Sequence, residues 1–558
     1  MHDTKPTGEY ITELGRRLGP KFSRQKRMDD KMRDMFIQKN RLEVNPSDKN
    51  ETEARAVSAG LAGLMIDQDL AVLGNDLVWR ILSRGGERAE EHASDKLEPF
   101  TNGSFRVMQE EVETFAPMKQ DLRVVGRAFA IGPVPAPQFW ADETMRGLTD
   151  ALNEAQTEEA TNAAKENLEE FKEGNFPIVM RPMVASSVWP VFNDRGLAEL
   201  IYARRMTVGD IRDRFGEKHL PQEKTKDDEE IEVFDYFNHV WVATVIPDGV
   251  EKLAHSWEHG VKTIPISWGE ADRLPDNPYG LFWKGALFHL RELLPSIDET
   301  LTDIRTNIRE YTTAPPVAFL DHQARADLEG WPSEVEVKKD QTVNMLKGET
   351  ASRWPVPEVT VDAYRYLDIA QGYADLVGVR RDALSGQGPA GQSAVHQNQA
   401  NQIAKAELKG AHSALIRIGE RAGRLLFRSV IALEKTFPDL GAILVRGAHA
   451  RSGSKEIAVK GSDVKRWEHL IQVDLDLNLP INEAGNVQTA SVAVQAGLAD
   501  PLTAREIWMN IENPLEIDKK IIEHSFRMAS AQIAMRAGLT VVAGGVEEAR
   551  ALGAEELV

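Results

Sequence analysis

A chain of 558 residues, 42% hydrophobic and 28% charged, has the composition of a folded protein, and at ~150 residues per domain it divides into three or four modules. The net charge of −20 argues against wrapping nucleic acid through clustered cations, and the lack of cysteine excludes disulfides, thiolate zinc sites, iron–sulfur clusters and cysteine nucleophiles. No run approaches the ~20 apolar residues of a membrane span, and Met1-His2-Asp3-Thr4-Lys5 has no apolar signal core, so neither insertion nor export by itself is expected.

Between Arg16 and Arg41 Lys and Arg outnumber Asp29, Asp30 and Asp34 on an amphipathic helix. It reads as a solvated face, with contact to nucleic acid or an acidic partner as the lesser reading. Apolar residues recur at helical spacing from Ala54 to Trp79 and from Phe105 to Ala128, with Gly60, Gly63 and Gly126 allowing close approach, which predicts buried helices. The Ala- and Glu-rich run from Asp142 to Gly174 predicts one long exposed helix, stopped by Gly174 and Pro177. The period then changes to two, at Ile178–Pro190, Leu197–Arg204, Ile231–Ile246 and Thr263–Trp268, with turns at Asn193–Gly196 and Pro247–Gly249. This is a β module. Thr207 is placed as the N-cap of a short inserted helix that ends at Gly216.

A three-four alternation follows at Leu287, Leu290, Leu294, Ile297, Leu301, Ile304, Ile308 and Tyr311. It predicts one long helix of roughly 36 Å, kinked at Pro295, with a seam for neighbouring helices. The alternation returns at Val359, Ala363, Tyr366, Ala370, Tyr373 and Val377. Between the two, Ala314-Pro315-Pro316 to Pro357 forms a small mixed module, carrying Val317 to Leu320 and Val335 to Val337, that must sit at the tip of a helical hairpin. The second helix closes at Arg380-Arg381. Ser385-Gly386-Gln387-Gly388-Pro389-Ala390-Gly391-Gln392-Ser393 then reads as a loop. A third long helix, Ala394 to Lys435, carries Leu408, Ala411, Leu415, Ile418, Ala422, Leu425 and Leu433. Strand-like runs lie at Ala442–Val445 and Ile471–Leu477. Two helices finish the chain, the first opened by a capping-box pair, Thr503 and Glu506.

Enzyme chemistry finds little support. His255-Ser-Trp-Glu258-His259 matches H-x-x-E-H, but that motif needs a helix to converge its ligands and here lies in a hairpin pattern. The dipeptide Gly-Lys is absent, so no phosphate-binding G-x-x-x-x-G-K-[ST] loop exists, and there is no G-x-S-x-G elbow. No catalytic role, cofactor or metal is expected. Asp362, Asp368 and Asp375 fall on the exposed side of the second seamed helix, as a solvated face or, if copies ringed a hole, as a lining that repels phosphates. Gln387 and Gln392 in the following loop offer neutral polar groups.

The order of elements resembles the portal proteins of tailed bacteriophages. Val188-Trp-Pro-Val-Phe-Asn-Asp-Arg-Gly196, continued by Tyr202 to Gly216, is similar to the family's strand, turn, strand and short helix. Ile264-Pro-Ile266 and Tyr279-Gly280 resemble its approach to the stem, and Leu376-Val-Gly-Val379 followed by Ser385 to Ala394 and a long helix resembles its second stem helix and tunnel loop. The resemblance implies a mainly helical α+β subunit with wing, stem, clip and crown, assembling into a ring. Residues 1–279 would form the wing, 280–313 and 358–381 the stem helices, 314–357 the clip, 382–394 the tunnel loop, 395–480 a long wing helix with strands, and 481–558 the crown.

It further implies a homododecamer at one capsid vertex of the virion, assembled in the host cytoplasm, with double-stranded DNA passing through its channel. Partners would be the terminase large subunit, major capsid and scaffold proteins, and neck or adaptor proteins, with no membrane. Ser385, Gly386, Gln387, Gly388, Pro389, Gln392 and Ser393 would face the DNA, and Asp362, Asp368, Asp375, Arg380 and Arg381 would line the channel. The competing expectation is a helical adaptor or scaffold without a channel.

Overall fold

The computed structural model describes, single positions aside, residues 5–37, 60–83, 92–136, 143–222, 226–275, 280–313, 316–319, 350–353, 364–369, 394–436, 442–449 and 453–477. The fold is mixed α and β and mainly helical, with 54% helix and 23% strand among the described residues. The chain falls into two units, Met1–Leu384 with Gln402–Asn478, and Ser385–Asn401 with Leu479–Val558. The sheets and cores belong to the first. Of the second, the described residues are the start of one long helix and 494–495.

Helix α1 (Gly8–Phe36) begins where the Thr7 hydroxyl accepts from the Tyr10 amide at 3.2 Å. Its stripe of Ile11, Leu14, Leu18, Phe22, Met32 and Met35 is buried throughout. The expectation of a solvated basic helix therefore holds for one face only. The other is part of the core, as the 3.6-residue period allows.

After α2 (Leu61–Val72), strand β1 (Val78–Ile81), α3 (Glu98–Glu111) and α4 (Phe115–Val124) comes β2 (Arg127–Pro135). Here two predicted helices are corrected, since Trp79 lies on a strand, stacked 3.8 Å from Phe105, and Ala128 lies on β2. The reason is physical. β2 is the middle strand of a three-stranded sheet and is buried on nearly every residue, so its apolar run does not alternate and cannot be told from a buried helix by period.

The predicted single helix from Asp142 is two, α5 (Glu143–Glu154) and α6 (Glu158–Gly174). The Thr157 hydroxyl caps the second by accepting from the Ala160 amide at 3.3 Å, and α6 buries Leu168 rather than standing free.

Strands β3 (Ile178–Met183), β4 (Val188–Asn193) and β5 (Gly196–Thr207) lead to α7 (Val208–Phe215), β6 (Glu230–Phe237), β7 (Trp241–Val245), β8 (Leu253–Glu258) and β9 (Ile266–Glu270). β4 to β8 form an antiparallel meander in chain order, and β3-β2-β9 form the second sheet. The expected turn joins β4 to β5 with Asn193 opposite Gly196. Thr207 caps α7 as expected, accepting from the Asp210 amide at 3.1 Å.

The meander is covered on both faces. Ile201 and Ala203 of β5 pack with Ile11, Leu14, Leu18 and Phe22 of α1, while Leu200 faces a second core with Met32, Phe129, Leu294 and Ile297. Period-two alternation is why consecutive residues serve different cores.

A 3₁₀ turn (Ala286–Leu290) precedes α8 (Leu293–Thr313), and short strands β10 (Pro316–Phe319) and β11 (Thr350–Arg353) follow. Helix α9 (Ala394–Thr436) runs 43 residues, then β12 (Ile443–His449), β13 (Gly453–Val459) and β14 (Ile471–Asp474). All seven apolar positions read along α9 from the sequence, Leu408 to Leu433, are buried. β13, which no expectation covered, pairs with β12, and β14 pairs with β1, nearly four hundred positions earlier in the chain. Among the described residues no helix is long and apolar enough to cross a membrane.

Candidate functional site

The seamed hairpin grows from a buried polar root. Gln25 and Asp29 sit in phase with the apolar stripe of α1, one and two turns after Phe22, yet both are buried. The Gln25 amide oxygen accepts from the Phe282 and Trp283 amides at 2.7 and 3.2 Å, and its nitrogen donates to Asp29 Oδ1 at 2.8 Å and to the Trp283 carbonyl at 3.2 Å. Asp29 Oδ2 accepts from Arg127 at 2.7 Å, with both side chains almost fully buried. The Arg127 guanidinium also donates to the Ala185 carbonyl and lies 4.3 Å over the Trp283 ring, whose π face compensates N–H groups that find no acceptor. Arg33 of α1 meets Asp121 of α4 at 2.7 Å, and Asp121 also accepts from the Ala185 amide. Arg123 pairs with Asp69 alongside.

Burial pushes the Asp29 and Asp121 carboxyls up from their ordinary values, and the facing guanidiniums and hydrogen bonds pull them back. The cluster ties α1, α2, α4, β2 and the segment at Trp283 into one piece. Close backbone contact completes it. A Cβ on Gly126, whose φ is +82°, would stand 2.1 Å from the Lys284 carbonyl, and one on Gly285 would stand 2.0 Å from that of Val124.

Immediately beyond this root the hairpin begins, and here the sequence expectation is corrected. Leu287 and Leu290 belong to the 3₁₀ turn, and Arg291 and Glu292 are turn residues, so the alternation from Leu287 is not one helix. A 3₁₀ turn places residues three apart on the same side, which is why the pattern continued unbroken. Pro295 kinks nothing. It is the third residue of α8, where a backbone N–H would have no helical acceptor. Leu287, Leu290, Leu294 and Ile297 are buried in the same core as Phe129 and Leu200, with Leu301 partly buried against it, and Ile304 is buried farther along.

The chain then doubles back. Ser296 and Tyr366 share a hydroxyl–hydroxyl hydrogen bond of 2.8 Å, and Leu367 packs on the core of Leu294 and Ile297. Farther along, β10 pairs antiparallel with β11, Pro316 opposite Arg353 and Phe319 opposite Thr350. α8 and the helical stretch at 364–369 are therefore two legs in contact, with the paired strands β10 and β11 between them in chain order.

Tyr366 is 37% exposed, and Tyr364 and Ile369 are more so, so within one chain this leg turns Leu367 inward and leaves aromatic and aliphatic surface uncovered. Asp368 is exposed. Ile308 lies on α8, while Tyr373, Asp362, Asp375, Arg380, Arg381 and the loop residues Ser385, Gly386, Gln387, Gly388, Pro389, Gln392 and Ser393 fall outside the described residues. So do Thr503 and Glu506.

The H-x-x-E-H motif lies on β8, where His255 opposes Thr244 and Glu258 opposes Trp241. Three residues apart on a strand, they point to opposite faces. His259, just past the strand, is buried. Its Nε2 bonds the Asn238 carbonyl at 3.1 Å and its Nδ1 accepts from the Val261 amide at 3.2 Å, a structural role. Among the described residues no three His, Asp or Glu gather as a metal site.

The polar root escaped the sequence reading. Its signal was the placement of Gln25 and Asp29 inside an apolar stripe, since polar residues at core positions demand buried partners. Compared with known proteins, the chain matches no family model and no curated protein sequence.

Proposed function

We propose that this chain is a portal subunit of a tailed bacteriophage, twelve copies of which ring a DNA channel at one capsid vertex and take part in packaging, retention and ejection. The reading gives the chain no catalysis of its own. The motor is the terminase large subunit, and the ring also meets capsid, scaffold and neck or adaptor proteins. The observation that carries the reading is the hairpin, two legs in contact at Ser296 and Tyr366 and joined by paired strands at the tip, rising from a root of buried ion pairs. That root suits a part under load, because the stem is fastened to the wing by oriented charge pairs and not by slippable apolar contact alone. The uncovered Tyr364, Tyr366 and Ile369 offer the surface that neighbouring stems would bury in a ring.

Native mass spectrometry of the purified full chain, with negative-stain imaging, tests the reading. A large closed ring with a central hole is the expected result. A dimer or small oligomer that persists when scaffold and capsid proteins are supplied overturns it in favour of a helical adaptor.

A further inference from the structure

On α9, Arg421, Arg424 and Arg428 lie three and four residues apart, so they share one face over roughly 10 Å. That face borders a half-enclosed cavity of about 330 Å³, lined also by Trp268, His239 and His469. Among the described residues no Asp or Glu lines it.

Arg421 is clamped in place. Its guanidinium lies 3.8 Å above the Trp268 ring and donates to the Trp268 carbonyl, and it has no carboxylate in hydrogen-bond reach among the described residues. Burial, with Arg417 and Arg424 nearby, pushes it down to about 10 against the pull of Glu270 and Glu420, so it stays charged at neutral pH. Among the described residues Arg424 pairs only with Glu420, 3.6 Å away on its own helix, and its Nε is buried without an acceptor. Arg428 shares Glu468 with His469, at 3.1 and 2.8 Å. Arg421 and Arg428, both held, and the loosely paired Arg424 thus have two carboxylates in ion-pair reach among the described residues, and forked donors at this spacing match the oxygens of a phosphate.

We propose that this cavity is a phosphate-binding site, in which Arg421 and Arg424 hold the phosphate oxygens, Arg428 closes one end, and the phosphate comes from a small free ligand or a nucleic-acid backbone. The volume sits at the lower end of the ~300–1,000 Å³ range of small-molecule sites, which suits a phosphate on a small body. A bound dianion relieves the crowding of like charge around Arg421. The inference stands apart from the portal reading, since it needs only the folded chain.

The test is calorimetric titration of the full chain with inorganic pyrophosphate, against sodium chloride of matched ionic strength. The same titration is made on Arg424→Gln and Arg424→Lys, after their unfolding temperatures in phosphate-free buffer confirm the fold. Saturable binding of one pyrophosphate per chain, weakened at least tenfold by Arg424→Gln and partly regained in Arg424→Lys, is expected. Displacement of pyrophosphate by a short DNA duplex assigns the site to a nucleic-acid backbone, and retention assigns it to a free phosphate; each supports the site. No saturable heat beyond the salt control, or equal affinity in Arg424→Gln, overturns it.

Discussion

At the root of the hairpin Arg127 meets Asp29, Arg33 meets Asp121 and Arg123 meets Asp69, whereas on α9 Arg421 is held by a ring and a carbonyl and Arg424 by a distant glutamate. Both groups are built of guanidiniums packed against tryptophan, Trp283 in one and Trp268 in the other. They differ in whether each guanidinium has a close carboxylate of its own, since Arg421 has none in reach among the described residues and Arg424 has a distant one. Where they have one, the arginines fix elements to one another; where they do not, they stay available to something from outside.

The sharpest way to break this comparison is at Asp29. Removing one member of a buried pair leaves the other charged and unmatched, at a cost of about 3–5 kcal/mol, so Asp29→Ala should lower the urea midpoint steeply or prevent folding. Replacing both partners, as Asp29→Leu with Arg127→Met, should recover much of the loss, because two apolar side chains need no partners. If the double variant is as unstable as the single one, the pair does more than neutralise itself, and Gln25 or the Ala185 carbonyl must depend on it.

His259 is a third treatment of a buried base, since it is kept neutral instead of paired. Burial, with His239 nearby, pushes it down from 6.5 to about 4, against its bond to the Asn238 carbonyl. Between those values the unfolded chain binds a proton that the folded chain does not, so stability falls as pH drops from 6.5 towards 4, by up to roughly 3 kcal/mol from this group. Urea unfolding of His259→Gln across that window should show a shallower acid limb than the parent. Parallel limbs would mean that the folded protein admits the proton.

The legible and the hidden parts of the fold divide along the same physical line. Local signals were readable. The α9 stripe, the turn at Asn193–Gly196 and the Thr207 cap each depend on residues within a few positions of one another, and each is where the sequence put it. In the hairpin, Leu294, Ile297 and Ile304 are buried, while Tyr366 is 37% exposed within one chain. Elements defined by distant partners were hidden. β1 needs β14, nearly four hundred positions away, and Arg127 lies 98 positions from the Asp29 it neutralises. The α9 arginines were on view in the sequence, but what makes them a site, Trp268 and the cavity, comes from another sheet.

The smallest expected effect is on α9, and it is the most diagnostic. Among the described residues Arg424 has a single weak partner, on its own helix, and an exposed pair of that kind contributes ~0–1 kcal/mol, so Arg424→Gln should move the urea midpoint very little in low salt. Crowding adds a second, opposite contribution. Arg424 is one of the charges that push Arg421 down, so its removal relieves repulsion and should offset even that small loss. Salt separates the two contributions. Added sodium chloride screens like-charge repulsion, so the parent should gain more stability from salt than Arg424→Gln does, and the difference between them should narrow or reverse. A loss of several kcal/mol, as at Asp29, would mean that the α9 arginines are structural after all and that the contrast between the two clusters is one of degree.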